Sequence, residues 1–229
     1  MKDFSKLEDK IEIKFINQDL LKQAVVHRSY LNEHPHFSLN HNERLEFLGD
    51  AVLELVVTED LYKNYKNPEG ELTNWRASLV NANMLAEVAS QFDLNQYLYL
   101  SKGESKDADS KARQYILANA FEALIGAIYL DQGWEKTKEF VEKHILSRLE
   151  HIIEHKLYVD PKSRFQEAAQ DKIGVTPSYK VLSEAGPDHS KHFVMGVYLD
   201  KELVAKGEGS SKQEAQVRAA ENALRTKGW

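Results

Sequence analysis

The 229 residues, 42% of them hydrophobic and 29% charged, suit a globular protein of one or two domains. Because the chain has no cysteine, no apolar run near the roughly 18 residues of a membrane span and no signal-peptide pattern over residues 1–14, we expect a cytoplasmic protein without a membrane or disulfide partner. Residues 160–229 hold 11 Lys and Arg and 10 Asp and Glu, which gives this segment a net charge of +1. Since the whole chain has a net charge of −6, residues 1–159 carry −7. This distribution argues against a broad basic surface for nucleic acid.

Residues 5–157 are predicted to be almost wholly helical. Helical spacing of apolar residues begins near residue 19 and is clearest over residues 41–65, and a Pro–Gly segment at residues 67–70 is predicted to break the chain. Residues 101–110 are polar and charged and are predicted to form a loop. Further helices are predicted at residues 72–79, 84–92, 115–130 and 134–155.

The pattern changes near residue 158, where we place a boundary between domains 1–157 and 158–229. A helix that opens with Pro161 is predicted over residues 161–171. Three strands follow at residues 176–184, 193–199 and 203–208, and a last helix at residues 211–226. The predicted fold is therefore an all-α N-terminal domain and a small α+β domain of order α-β-β-β-α.

Three carboxylates share one face of the predicted helix over residues 41–65. Glu43, Glu46 and Asp50 are spaced at i, i+3 and i+7, and like charges at such spacing repel by some tenths of a kcal/mol per pair. A bound cation would relieve that repulsion. A solvated acidic face is the ordinary alternative, and the spacing alone leaves both interpretations open.

A second helix offers an amide oxygen and a carboxylate one turn apart. Asn119 and Glu122 lie among apolar residues, and a carboxylate in such surroundings is seldom left without a partner. Gly126, one turn beyond Glu122, would permit another helix to approach closely. The two segments together favour a metal site more than either does alone.

Residues 42–53, Asn-Glu-Arg-Leu-Glu-Phe-Leu-Gly-Asp-Ala-Val-Leu, resemble the signature of the ribonuclease III family. The resemblance continues at residues 27–30, 70–73, 76–81 and 121–127. It implies an endonuclease that cleaves double-stranded RNA with Mg²⁺, for which Mn²⁺ can substitute, and that leaves 5′-phosphate and 3′-hydroxyl ends with short 3′ overhangs. It also implies a homodimer and a role in processing structured RNA precursors, ribosomal or messenger.

The resemblance assigns roles to individual residues. Metal positions are implied at Glu46, Asp50, Asn119 and Glu122, of which Asp50 and Glu122 are the most critical and are expected to be catalytic. Glu43 is expected to support the site, and Phe47 resembles the family's aromatic residue at the dimer interface. Since one active site cuts one strand, a staggered double cut requires two sites related by a two-fold axis.

Asn119 departs from the family pattern, which has Asp at this position. An Asn keeps one carbonyl oxygen but removes a negative charge, so Mg²⁺ is expected to bind less tightly. Three explanations compete: a tolerated natural ligand change, a substitution made to trap substrate, or a lineage with weakened cleavage. An RNA-binding dimer with weakened catalysis is therefore the main alternative function. A helical phosphohydrolase acting on nucleotides is disfavoured, because no His is followed by Asp.

Residues 158–229 resemble the double-stranded RNA-binding domain, which recognises duplex shape across two minor grooves. The resemblance implies RNA contacts at Gln166 and Glu167, at His189 in the loop of residues 186–189, and at Ser211 and Lys212, where a helix N-terminus favours phosphate. Ser211 and Glu214 also form a capping-box pattern. Because Gln213 and Gln216 stand where the family usually has lysine, we expect weak affinity and a shallow salt dependence. In the first domain, the candidates for contacts with RNA phosphates are Thr73, Arg76, Lys111 and Arg113, although basic residues near loops are usually only solvated.

Overall fold

The computed structural model describes residues 2–106, 110–187 and 191–229, and the chain forms two compact units, Met1–Tyr158 and Val159–Trp229. The first unit is helical, as predicted. Its helices are α1 (Ser5–Ile11), α2 (Gln18–Ala24), α3 (Arg28–Glu33), α4 (Glu43–Asn64), α5 (Glu69–Leu79), α6 (Ala82–Gln91), α7 (Leu94–Tyr97), α8 (Lys102–Ser105), α9 (Lys111–His144) and, after a 3₁₀ turn at Leu146–Arg148, α10 (Leu149–Glu154).

Helices α4 and α9 pack against each other at the centre of the first unit. Their facing sides bury aliphatic and aromatic side chains, which is the main source of stability for such a helix pair. Helix α9 bends at Gly133, whose φ of 80° is outside the helical range. The buried side chains of α4 and α9 include Val52, Leu53, Val56, Phe121, Leu124 and Ile125.

No described helix is long and apolar enough to cross a membrane.

Helices α5 and α8 lie in segments for which the sequence predicted a break and a loop, and the helix predicted over 134–155 is divided after His144. Helix α5 begins at Glu69, inside the predicted break, because Pro68 precedes its first turn without interrupting it and acidic residues in that turn suit the helix dipole. The predicted loop over residues 101–110 contains the short helix α8. The hydroxyl of Ser101 caps α8 by accepting a hydrogen bond from the backbone N–H of Glu104 at 3.2 Å.

The second unit has the predicted order of one helix, three strands and a second helix. Its elements are α11 (Pro161–Ile173), β1 (Ser178–Ala185), β2 (His192–Leu199), β3 (Glu202–Gly209) and α12 (Lys212–Lys227). The strands form an antiparallel sheet of order β1-β2-β3. Helix α12 packs on the sheet and on α11, and the core between them includes Phe165, Val197 and Ala219. The predicted fold class is therefore confirmed for both parts of the chain.

Candidate functional site

The backbones of α4 and α9 touch at two glycines. A Cβ atom on Gly49 would lie 1.7 Å from the carbonyl oxygen of Glu122, and one on Gly126 would lie 2.3 Å from the carbonyl oxygen of Leu45. Neither distance is sterically possible, so only glycine permits this crossing. The close approach predicted at Gly126 is present, and Gly49 provides its counterpart on α4.

The start of α4 is fixed by a buried amide. The side-chain amide of Asn42 donates to the carbonyl oxygen of Ala24 at 3.0 Å, and its backbone N–H donates to that of Val26 at 2.9 Å. Because the side chain is buried, losing these hydrogen bonds would leave polar groups without partners. Asn42 thereby sets the position of the carboxylates on the first two turns of α4.

The helix crossing brings the predicted carboxylates within electrostatic reach of one another. Glu122 is partly buried, and burial followed by the charges of Asp50, Glu46 and Glu54 raises its pKa to about 7. Burial, then the charges of Glu43 and Asp50, also raises the pKa of Glu46. Asn119 lies one turn before Glu122 on the same side of α9 and is partly buried, whereas Asp50 is exposed.

The oxygen atoms of this cluster are not gathered around one point. In the part of the chain that the structure describes, no three or more His, Asp or Glu side chains are grouped so that they could hold a metal ion as they stand. Like charges in a partly buried site repel one another, which keeps carboxylates apart. Carboxylate and amide oxygens are nevertheless the donors that a hard divalent cation prefers, so the chemistry of the donor set fits such an ion.

A carboxylate that the sequence analysis did not single out belongs to the same face of α4. Glu54 follows Asp50 by one helical turn, and its charge is one of those that raise the pKa of Glu122. Its carboxylate lies 3.0 Å from the guanidinium of Arg76 on α5. The signal was present in the four-residue spacing of positions 46, 50 and 54.

Glu43 and Phe47 lie at the edges of the cluster. Glu43 is exposed, forms an ion pair with Arg28 at 3.6 Å, and has a carboxylate oxygen 3.7 Å from Nδ1 of His41. The side chain of Phe47, between Glu46 and Asp50 in sequence, is 80% exposed.

The side chains proposed to contact RNA in the second unit lie on exposed parts of α11 and α12. Gln166 and Glu167 are exposed on α11. The hydroxyl of Ser211 accepts from the backbone N–H of Glu214 at 3.1 Å, which is one half of the predicted capping box, and the carboxylate of Glu214 accepts from the backbone N–H of Ser210 at 3.0 Å. Lys212 is exposed and lies 3.7 Å from Glu184. His189 falls outside the described residues.

The candidate RNA contacts of the first unit differ in exposure. Thr73 is exposed, and Arg76 is paired with Glu54. Arg113 is buried and donates to the side chain of Asn95 and to the backbone oxygen of Glu104, so the expectation of a phosphate contact there is wrong. A basic residue near a loop gives no sequence signal that separates a solvated side chain from a buried one.

The raised pKa of Glu122 predicts that stability falls as the pH rises in the absence of divalent ions. Its carboxyl group ionises near 4.5 in the unfolded chain and near 7 in the folded one. The folded state therefore binds this proton more tightly, and the free energy of unfolding decreases between pH 4.5 and 7 and stays lower above that window. After allowing for solvent screening we expect a loss of about 1–2 kcal/mol.

The test is chemical denaturation at pH 5 and pH 8 with a chelator present, for the unmodified protein and for Glu122→Gln. The substitution removes the titrating group, so the stability difference between the two pH values is expected to shrink. An equal difference in both proteins would contradict the assignment.

Comparisons with known proteins agree with these features. The profile of the family described as "Ribonuclease-III-like" matches residues 17–149, and that of the "Double-stranded RNA binding motif" matches residues 161–227. The chain is 44% identical to "Ribonuclease 3" of Natranaerobius thermophilus, with 96% of this chain and 94% of that protein aligned. It is 46% identical to "Ribonuclease 3" of Chloroflexus aurantiacus, with 96% and 90% aligned.

A solved structure extends the comparison to three dimensions. The nuclease domain of ribonuclease III from Campylobacter jejuni is 38% identical, with a TM-score of 0.55. The match covers 63% of this chain and 99% of that one. The Campylobacter domain is described as structurally flexible in a region involved in its dimer formation.

Proposed function

Because the chain belongs to the ribonuclease III family, we propose that it hydrolyses the phosphodiester bonds of double-stranded RNA with Mg²⁺ at the carboxylates of α4 and α9. The chain is an endoribonuclease with a C-terminal double-stranded RNA-binding domain, and the family uses a divalent metal. The observation that supports the proposed location is the position of Glu122, whose backbone touches Gly49 of α4 and whose pKa is raised by burial and by the charges of Asp50 and Glu46. Perturbed carboxylates in such a cluster are typical of functional sites.

The proposed roles are those that the resemblance to the family implies for these residues, and the donor atoms present fit a divalent cation. Asp50 and Glu122 would hold the metal from both helices, with Glu46 and the amide oxygen of Asn119 as further ligands. When bound, Mg²⁺, or Mn²⁺ in its place, favours ionisation of water and stabilises charge on the departing 3′ oxygen. The carboxylates must be ionised to bind a cation, so the raised pKa of Glu122 links metal binding to proton release. Glu43, held by Arg28 and His41, supports the start of α4.

We further propose that the protein acts as a homodimer in the cytoplasm on structured RNA precursors. Two sites related by a two-fold axis would cut both strands and leave 5′-phosphate and 3′-hydroxyl ends with short 3′ overhangs. The exposed Phe47 supports its place at the dimer interface, since pairing with a second copy would bury it. The proposed RNA contacts are Gln166, Glu167, His189, Ser211 and Lys212 in the second unit and Thr73 and Arg76 in the first.

The experiment that tests this proposal is incubation of the full chain with a long RNA duplex. With Mg²⁺ we expect short duplex products whose 5′ ends carry phosphate, as shown by removal with a phosphatase, and no cutting of a single-stranded control. Binding to the duplex without cleavage in either Mg²⁺ or Mn²⁺ would instead support the RNA-binding dimer weakened by Asn119.

Asn119→Asp is expected to lower the Mg²⁺ concentration for half-maximal cleavage by about three- to tenfold. The change adds a negative charge and a second oxygen one turn from Glu122, and both strengthen the attraction for a divalent cation. The measurement is the cleavage rate against Mg²⁺ concentration at saturating RNA. An unchanged or higher requirement would refute the interpretation of Asn119 as a weakened ligand.

A further inference from the structure

A line of side chains on α4 connects the carboxylate cluster to α5. Glu46, Asp50, Glu54 and Thr58 follow one another at four-residue spacing, so they share one side of the helix. The charges of the first three all act on Glu122. Glu54 is therefore part of the electrostatic surroundings of the candidate metal site, although it carries no assigned role.

Arg76 on α5 contacts the last two residues of this line, Glu54 and Thr58. Its Nε atom lies 3.0 Å from a carboxylate oxygen of Glu54, and its Nη1 atom donates to the hydroxyl of Thr58 at 3.0 Å. The neighbouring Trp75 is 4% exposed and packs edge-on against Tyr65, which anchors α5 beside the end of α4. The guanidinium is thus placed by two contacts of its own and by the packing of its helix.

We propose that Glu54 and Arg76 form a positioning pair that sets the cation affinity of the Glu122 cluster, Glu54 as an additional negative charge and Arg76 as the counter-charge that offsets it. This inference rests on the proposed metal site. Arg76 keeps Glu54 turned toward α5, so that its carboxylate contributes charge to the cluster without joining the ligands. The net charge of the pair then sets both the repulsion among the carboxylates and their attraction for the cation.

The two members of the pair are expected to have opposite effects on metal binding. Arg76→Gln leaves Glu54 uncompensated and is expected to tighten Mn²⁺ binding by about three- to tenfold, while Glu54→Gln leaves Arg76 uncompensated and is expected to weaken it by a similar factor. The double variant is expected to return near the affinity of the unmodified protein. Arg76→Lys keeps the positive charge that offsets Glu54 and is expected to change affinity by less than about twofold.

The measurement is calorimetric titration of the full chain with Mn²⁺ alone, without RNA, so that any RNA contact of Arg76 does not enter. Glu59→Gln is the matched control, because Glu59 lies on α4, pairs with Lys138 at 3.3 Å and is not among the charges acting on Glu122. Thermal melts of each variant verify folding, and a variant that fails to fold is replaced by another substitution that removes the same charge, Arg76→Met or Glu54→Ala.

The outcomes separate this inference from the proposed function. If the unmodified protein binds Mn²⁺ and cleaves duplex RNA, but Arg76→Gln and Glu54→Gln shift affinity in the same direction or no more than Glu59→Gln, the pair is only a structural tie between helices and the inference is wrong. If the unmodified protein binds no Mn²⁺, the metal site and the inference fail together.

Discussion

Glu122→Gln is expected to reduce cleavage of double-stranded RNA by on the order of 10³-fold or more, with RNA binding changed by less than about twofold. The substitution keeps the size of the side chain and removes the one carboxylate that α9 contributes where the two helix backbones touch. With Asn119 already neutral, α9 would then offer no negative charge to a cation. The RNA contacts proposed on α11 and α12 are unaffected.

The measurement is single-turnover cleavage of an RNA duplex with excess enzyme, together with a gel-shift assay in Ca²⁺ to measure binding. Glu139→Gln is the matched control, since Glu139 is an exposed residue of the same helix whose ion pair in the described part of the chain is with nearby Lys136, at 2.5 Å. Cleavage by Glu122→Gln within about tenfold of the unmodified protein would exclude Glu122 from the proposed role.

The fold was predictable where local patterns decide it. The alternation of Phe193, Met195 and Val197 predicted β2, and helical spacing predicted α4 to within two residues. The short helix α8 was missed because its sequence is polar and its stability comes from a cap rather than from an apolar face. The separation predicted between helices 115–130 and 134–155 is present as a kink in α9, because Gly133 has non-helical φ and ψ angles.

The candidate site was only partly predictable. The spacing of Glu46 and Asp50 placed both on one face of a helix, and the apolar neighbours of Glu122 indicated burial. That these residues lie near each other depends on the crossing of α4 and α9, which local periodicity does not encode. The same limit applies to Arg76. Its chemistry suggested a contact with an RNA phosphate, but its ion pair with Glu54 joins two helices and could not be predicted from local sequence.

Asn119 shows how sequence and structure complement each other at this site. The sequence identified the missing charge, and the structure shows what remains around it: three acidic residues that raise the pKa of Glu122 and one arginine that offsets part of their charge. A fourth carboxylate at position 119 would increase the repulsion within the metal-free cluster. We therefore expect the neutral side chain at position 119 to lower the affinity for a cation and also to lower the repulsion among the carboxylates when no cation is bound.

Gly49→Ala is expected to destabilise the protein by about 3 kcal/mol or more and to abolish most cleavage. The new Cβ would overlap the carbonyl oxygen of Glu122, at 1.7 Å, and that atom belongs to the backbone and cannot rotate away. The helices must separate, which opens voids among the buried side chains around Leu53 and Leu124 and moves Asp50 away from Glu122. Urea denaturation gives the stability, and cleavage is measured at a temperature where the variant remains folded.

Gly70→Ala provides the control, because Gly70 is also helical, on α5, and a Cβ there meets no atom within 4 Å. Alanine restricts the unfolded chain more than glycine does, so this variant is expected to be as stable as the unmodified protein or more stable by up to about 1 kcal/mol. Equal stabilities for Gly49→Ala and Gly70→Ala would mean that α4 and α9 can separate freely at their crossing. The carboxylates would then lack the rigid frame on which a metal-dependent reaction depends, because ligands held on a loose helix pair lose their preorganised geometry.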